Sequence, residues 1–464
     1  MVLLIVLLAL GVYLSFGRRS AQEAPVAVEY RRPERSHLDH SPYFTAQFKS
    51  PQDVTRACLK CHPQAAADVM KTVHWQWLGE EVAVPGHPRP VRIGKKNLLN
   101  NFCISTTGNN VSCMKCHAGY GWSDDSFDFS KAENVDCLVC HERTGTYVKG
   151  DFGIPTLGSD LAAAARSVGY PRRENCGVCH NYGGGGQAVK HGDLDSRLEN
   201  PSREDDVHMG QYGFLCIDCH RTEKHRIAGR AFSVSVEGAH GVACTDCHRK
   251  PPHRDPRLNA HLASVACQTC HISTYARKVP TKLFWDWSKA GDPNRHEDPH
   301  HYLRIKGEFI YGQDLVPEYA WFNRTVDRYL LGDRIDSTRV TDINHPRGDL
   351  RDATARIWPF KVHRGLLPYD RQHATLLPPI TAGAGGFWHD FDWDQAIRLG
   401  ARASGLDYSG QYGWTKTAMY WPLSHMVAPR NRALQCDDCH GERSRMDWTA
   451  LGYEGDPIQR GGRR

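Results

Sequence analysis

Residues 100–117 read NNFCISTTGNNVSCMKCH, and the last five of them decide how the chain folds. Cys113 and Cys116 stand three apart, and His117 follows at once. On one helical turn, residues three and four apart share a face. Two thiols and an imidazole are therefore presented together. Cys-x-x-Cys-His is the attachment signature of c-type haem, in which the thiols bond to the porphyrin vinyl groups and the histidine reaches the iron. Cys103, ten residues ahead of Cys113, has no such partner.

The same unit recurs along the chain. Cys58 and Cys61 precede His62, Cys137 and Cys140 precede His141, and Cys176 and Cys179 precede His180. Cys216 and Cys219 precede His220, Cys244 and Cys247 precede His248, Cys267 and Cys270 precede His271, and Cys436 and Cys439 precede His440. With Cys113–His117 that makes eight units, which use sixteen of the 17 cysteines and leave Cys103 over. A disulfide framework does not place a histidine after every second cysteine. Zinc sites need paired motifs and no fixed trailing histidine. The count implies eight covalently bound c-type haems.

Hydrophobic residues make up only 40% of the 464 residues, so porphyrin would supply much of the interior. The fold expected is a multihaem cytochrome c fold, mainly α with extensive coil and a few short strands, packed around the haems. Net charge is +6, with Lys and Arg scattered rather than massed in a basic run. That argues against nucleic acid and suits a small anionic substrate or an acidic redox partner.

At the front, Val2 to Phe16 carry no charge, and Arg18 and Arg19 follow. The stretch is short for a membrane span and fits the apolar region of an export signal. It is read as a cleaved signal or a single amino-terminal anchor, which places the protein in the periplasm or on its membrane face, where bacteria attach c-type haem. Residues 1–30 are signal or anchor plus linker. Residues 31–271 form a haem-packed body with seven motifs. Residues 272–464 return the chain to the eighth motif, and 272–435 hold eight of the twelve tryptophans, so the residues of this region are expected to wrap the haem body. Within them, GEFIYGQDLVPEYAWF (307–322) alternates as a strand or hairpin would. Near the front, DVTRACLKCHPQAAADVMKTVHW (53–75) reads as helix with Asp53 as its cap, and SDLAAAARSVGYP (159–171) as a helix ending before Pro171.

Eighteen of the 26 histidines lie outside the motifs. A carrier of electrons wants a second strong ligand on each iron. The candidates are His74, His191, His208, His225, His240, His253, His261 and His425, with His40 in reserve. Two classes of function follow. One is a non-catalytic electron-transfer cytochrome with every iron bound by two histidines. The other is an enzyme with seven relay haems and one iron kept for chemistry. A free thiol in an exported chain is a liability unless buried or used, so Cys103 bears on the second class. Lys190, just past the glycine run 183–186, can ligate iron or face an anion. Asp206 is a candidate proton donor.

NNFCIS (100–105), CHAGYGW (116–122), VDCLVCHERTGTYVK (135–149), CGVCHNYGGGGQAVKHGDLD (176–195) and DVHMG (206–210) resemble the front half of the octahaem tetrathionate reductase family. ACQTCHIS (266–273), WDWSKAG (285–291) and YWPLSHMVAP (420–429) resemble its back half. The family is distantly similar to hydroxylamine oxidoreductases and multihaem nitrite reductases. The resemblance implies seven irons bound by two histidines and an eighth, at Cys113–His117, that is the active site and carries a lysine. The family's pocket asparagine, cysteine, lysine and aspartate fall on Asn100, Cys103, Lys190 and Asp206. The activity implied is two-electron reduction of tetrathionate to thiosulfate, with nitrite or hydroxylamine as further acceptors. A periplasmic or membrane electron-donor protein is implied as partner.

Overall fold

The computed structural model describes residues 36–463 apart from 230–231, 233–235, 237–240 and 249–250. The apolar segment at 2–16 and His240 therefore lie outside the described residues. From Arg35 onward the chain is one compact unit. Among the described residues, no helix is long and apolar enough to cross a membrane.

The front of the chain is coil punctuated by short helices, and most attachment motifs sit on single helical turns. Helices span Leu138–His141, Arg173–His180, Cys216–Cys219, Cys267–His271 and Cys436–Cys439. The first motif ends the helix Pro51–Leu59. Its cap is Ser50 rather than Asp53: Ser50 Oγ accepts from the Asp53 amide at 3.2 Å, and the Asp53 carboxylate accepts from the Ser50 amide at 2.9 Å. Asp53 is the returning half of a capping box. The helical reading of 53–75 breaks into Pro51–Leu59, Ala65–Val69 and Val73–Gln76, since Pro63 cannot continue the first helix. The alanine-rich helix runs Leu161–Arg166, capped by Asp160 on the Ala163 amide at 2.8 Å.

Two ribbons decorate the front: β1 (Glu81–Val82) with β2 (Val91–Arg92), and β3 (Thr222–Glu223) with β4 (Arg226–Ile227). The cysteine-free stretch builds something larger. β5 (Thr281–Asp286), β6 (Tyr302–Leu303), β7 (Gly307–Gly312), β8 (Glu318–Phe322), β9 (Val326–Arg328), β10 (Thr341–Pro346), β11 (Arg356–Asp370), β12 (Thr375–Leu376) and β13 (Tyr412–Pro422) form one mixed nine-stranded sheet. Its spine is β11 against β13, antiparallel from Phe360–Pro422 to Asp370–Tyr412. β5 joins β11 in parallel, and β10 joins β13 in parallel. Of the strand or hairpin expected over 307–322, strands form but do not pair with each other. β7 pairs with β5 and β6, and β8 pairs with β11. Alternation in a sequence shows that a segment is extended, not which neighbour it takes.

The largest apolar cluster joins this sheet to the front of the chain. Trp285, Phe309, Leu367, Met419 and Trp421 from the strands close on Leu99, Phe102, Ile104 and Val189. Cys103 is half-buried against it. The sheet is thus the floor on which the loop around Cys103 rests.

Candidate active site

Seven of the eight motif histidines face a histidine from elsewhere in the chain. The ring centroids are 6.3 Å apart for His62–His40, 6.4 Å for His180–His74 and 6.3 Å for His141–His225. They are 6.2 Å for His220–His425, 6.0 Å for His248–His208, 6.1 Å for His271–His253 and 6.3 Å for His440–His261. Two metal–imidazole bonds of about 2.0 Å, plus about 1.2 Å from nitrogen to ring centre on each side, give about 6.4 Å. Each gap holds one metal atom and nothing bulkier. Several rings are also aimed by an outer partner: Nδ1–H of His141 donates to Gly169 O at 2.9 Å, and that of His220 to Ala228 O at 2.8 Å. His261 donates to Arg257 O at 2.8 Å, and His440 to Asp456 at 2.6 Å. Such bonds turn Nε2 inward and raise its basicity. The residues present fit haem iron at these seven places.

His191 is not in this set. Its ring lies 4.9 Å from that of Trp421, and His40 fills the remaining pairing. His191 follows Lys190 onto the sheet floor, where no motif histidine faces it among the described residues. His40 reaches His62 from a short helical turn at Ser41–Tyr43.

The attachment cysteines also adjoin one another. Cys58 lies beside Cys137, Cys116 beside Cys179, Cys176 beside Cys216 and Cys244 beside Cys267. Cys140 lies within electrostatic reach of Cys176, Cys219 of Cys247, and Cys439 of Cys270. These contacts join all eight motifs into one connected series, with the second motif entering through the fourth.

The second motif differs. His117 faces no other histidine among the described residues. Its fully buried ring is walled by Trp75, Trp77, Trp122 and Phe127, with centroids 5.0, 5.6, 4.8 and 5.6 Å away. Nε2 is joined to the Trp75 carbonyl at 2.8 Å, and Nδ1 has no partner. Burial drives its pKa down to about 3, so the ring is neutral. Lys149 holds the carbonyls of His117 and, at 3.0 Å, Gly119.

Beside this motif sits the loop of Cys103. Asn100 Oδ1 accepts from the amides of Cys103 at 2.7 Å and Ile104 at 3.0 Å, and the Asn100 amide donates to Ile104 O at 2.7 Å. Asn100 thus ties the loop shut. Ile104 is fully buried at φ +128°, a conformation unfavourable for a β-branched residue and held by its packing. The glycine run lies against the same loop. A Cβ at Gly184 would come within 2.4 Å of the Phe102 ring, and Gly184 has φ +76°. The run is therefore a close-approach surface.

Cations surround the thiol. Cys113 lies beside Cys103, and with the charges of Lys306, Lys95 and Lys282 it outweighs burial and lowers the Cys103 pKa. Lys190 lies among Cys116, Cys179 and Lys95, its ammonium 5.4 Å from the centre of the Trp421 ring. Burial, helped by Lys95 and opposed by those thiols, lowers its pKa to about 8. Lys361 is fully used: its ammonium donates to Val189 O at 2.8 Å, Lys190 O at 3.3 Å and Thr281 Oγ1 at 2.6 Å. It fixes the backbone that carries Lys190.

Asp206 is placed differently from its expected role. Its carboxylate caps the turn Val207–Gln211, accepting from the amides of His208 at 2.8 Å and Met209 at 2.9 Å, and also from Val427 at 3.0 Å. It serves the His208–His248 pair, and it is not among the groups whose charge acts on Lys190 or Cys103. Sequence reasoning missed Lys95, Lys282, Lys306, Lys361 and His363. The signal was there in TKLFWDW and PFKVHRG: a charged side chain inside an apolar strand has to be buried with a purpose.

Comparison with known proteins points to the same class of haem protein. A family model described as bacterial cytochrome c matches residues 282–443. The crystal structure of an octahaem cytochrome c from Shewanella oneidensis is similar with a TM-score of 0.86 and 46% identity, over 91% of this chain and 98% of that one. An uncharacterized protein of Archaeoglobus fulgidus is 24% identical over 239 residues, 40% of this chain and 80% of its own.

Proposed function

The chain belongs to the octahaem cytochromes c, redox proteins with covalently bound c-type haems, and from that premise we propose that it is a periplasmic reductase that cleaves tetrathionate to thiosulfate at the second motif. The observation that carries this reading is the asymmetry of the eight motifs. Seven present paired imidazoles. The second presents a walled-off His117 with a thiol and a group of lysines instead. Lys190 is the candidate amine ligand there, and the sixteen motif cysteines are the attachment points.

The haems supply electrons one at a time and one iron open to substrate. The remaining chemistry falls to the chain. Cys103, whose anion the charges of Lys306, Lys95 and Lys282 favour, attacks the central sulfur–sulfur bond of tetrathionate. One thiosulfate leaves, and the other half stays on the thiol as a sulfenyl thiosulfate. Two electrons then cleave that bond, releasing the second thiosulfate and restoring the thiolate. Charge balances at each stage and no proton is consumed. The positioning of Asp206 on backbone amides is compatible with such chemistry. Reduction of nitrite or hydroxylamine to ammonia consumes protons and asks more of the site. An electron-donor protein on the periplasmic or membrane side completes the scheme.

The test is steady-state oxidation of reduced methyl viologen by the holoprotein, with tetrathionate, nitrite and hydroxylamine offered separately. Wild type is expected to turn over tetrathionate, and Cys103→Ala to lose that activity with eight haems still attached. No turnover of any acceptor would leave an electron carrier. Turnover of nitrogen acceptors alone, unchanged in Cys103→Ala, would discard the sulfur chemistry.

A further inference from the structure

Lys282 has entered so far only as a charge acting on Cys103 and His363 not at all, and among the described residues both are buried without a hydrogen-bonding partner. Lys282 on β5 is 1% exposed. Its ammonium lies 3.4 Å from the centre of the Trp285 ring, 3.9 Å from that of Phe309 and 5.6 Å from that of Tyr311. It makes no hydrogen bond among the described residues. His363 on β11 is fully buried, and neither ring nitrogen has a partner. The two act on each other electrostatically, and Lys282 acts on Cys103 together with Lys306, whose ammonium lies 3.5 Å from Gly185 O. No carboxylate is among the groups acting on Lys282, Lys306 or His363. Buried charge is ordinarily paired. Here lysines and an orphan imidazole converge on one thiol, whose anion is the counter-charge acting on Lys282 and Lys306.

We propose that Lys282 and His363 are the anion-holding wall of this site and select doubly charged sulfur oxyanions over neutral nitrogen compounds. The inference rests on the reading of Cys103 as the reacting thiol. Each sulfonate end of tetrathionate offers three acceptor oxygens, and the wall offers an ammonium and an imidazole N–H. The rings of Trp285 and Phe309 exclude water from the amine; burial and the charges of Lys306 and Lys361 pull its pKa well down, and a bound dianion favours its protonated form and the strong charged contacts made there. Burial and the charges of Lys361 and Lys282 keep His363 neutral, so it donates a hydrogen bond without adding charge. Lys361 on the same strand, with three acceptors of its own, belongs to the scaffold.

The experiment is calorimetric titration of oxidised holoprotein with thiosulfate, the product dianion, beside tetrathionate and hydroxylamine kinetics. Losing a charged hydrogen bond weakens binding about ten-fold or more. Lys282→Met is expected to raise the thiosulfate Kd and the tetrathionate KM by that factor, with the loss on KM rather than kcat. The hydroxylamine KM should not move. Lys282→Arg should recover most of the affinity. Should Lys282→Met not load eight haems, His363→Asn is the second probe, expected to weaken thiosulfate in the same sense. An unchanged Kd in fully loaded variants overturns the proposal. A shifted haem spectrum at unchanged Kd would assign the two side chains to the carboxylates of the cofactor, which overturns it equally. Absence of thiosulfate binding by wild type does so too. If wild type binds thiosulfate through Lys282 yet reduces no tetrathionate, the wall stands and the reductase reading fails.

Discussion

Lys149→Met should loosen the second motif more than any other single change in the front of the chain. Lys149 is 5% exposed and Asp136 fully buried, with 2.9 Å between ammonium and carboxylate. The ammonium also carries the carbonyls of His117 and Gly119. Asp136 stands just before Cys137, so the pair bolts the second motif to the third. Removing one partner of a buried ion pair costs about 3–5 kcal/mol. Asp136 keeps the hydroxyls of Tyr120 and Tyr147, both at 3.1 Å, and the Val139 amide at 3.0 Å. Those three donors hold its charge and place the loss at the lower end, about 3 kcal/mol. The check is urea unfolding followed by far-ultraviolet circular dichroism on Lys149→Met, Asp136→Asn and the double variant. Contacting partners in a network are expected to show a coupling energy of about 2 kcal/mol. Tetrathionate turnover should fall as the His117 carbonyl shifts. Additive losses, or a single-variant loss below about 1 kcal/mol, would refute the bolt.

Three further outcomes follow from the same geometry. Gly184→Ala forces a Cβ onto the Phe102 ring at a positive φ, so unfolding titrations should show a loss of about 1–3 kcal/mol, and the Cys103-dependent activity should drop with it. The lysine charges beside the Cys103 thiol favour its anion, and that anion grows as pH rises: kcat/KM for tetrathionate should climb with pH and then level, whereas a flat profile would take the thiolate out of the rate. Lys282→Met removes a charge that favours the anion, so it should move that profile to higher pH. Asp456→Asn weakens the partner of His440 Nδ1, which lowers ligand basicity; spectroelectrochemistry should find one haem shifted to a higher potential.

What could be read in the sequence follows what covalent chemistry demands. One porphyrin needs two thiols and an imidazole on the same helical turn, so all eight attachment sites are spelled out in five consecutive letters. The second histidines carry no such rule. Their place depends on how the chain returns over long separations, as His425 does to His220 and His225 to His141. His191, a candidate on sequence grounds, finds no motif histidine among the described residues, while the fold brings the reserve His40 to His62. The hairpin alternative for 307–322 is excluded for a related reason. β7 and β8 were recognisable as extended, but their partners β5 and β11 lie elsewhere in the chain.

The lysines beside Cys103 show the deeper limit. Cys103 stood out because an odd thiol is conspicuous in any list of residues. Lys95, Lys282 and Lys306 are three among 58 basic residues, and alone each reads as a solvated surface charge. Only the sheet makes them different. The bulge between Lys282 and Phe284 breaks the register of β5 against β7, and the Lys282 ammonium lies over Trp285 and Phe309. β11 runs between β5 and β13 and carries Lys361 and His363, two residues apart on one face. One of that pair is saturated with acceptors and the other has none. A scaffold satisfies its buried polar groups. The group left unsatisfied beside a thiol is the one to expect a ligand to meet.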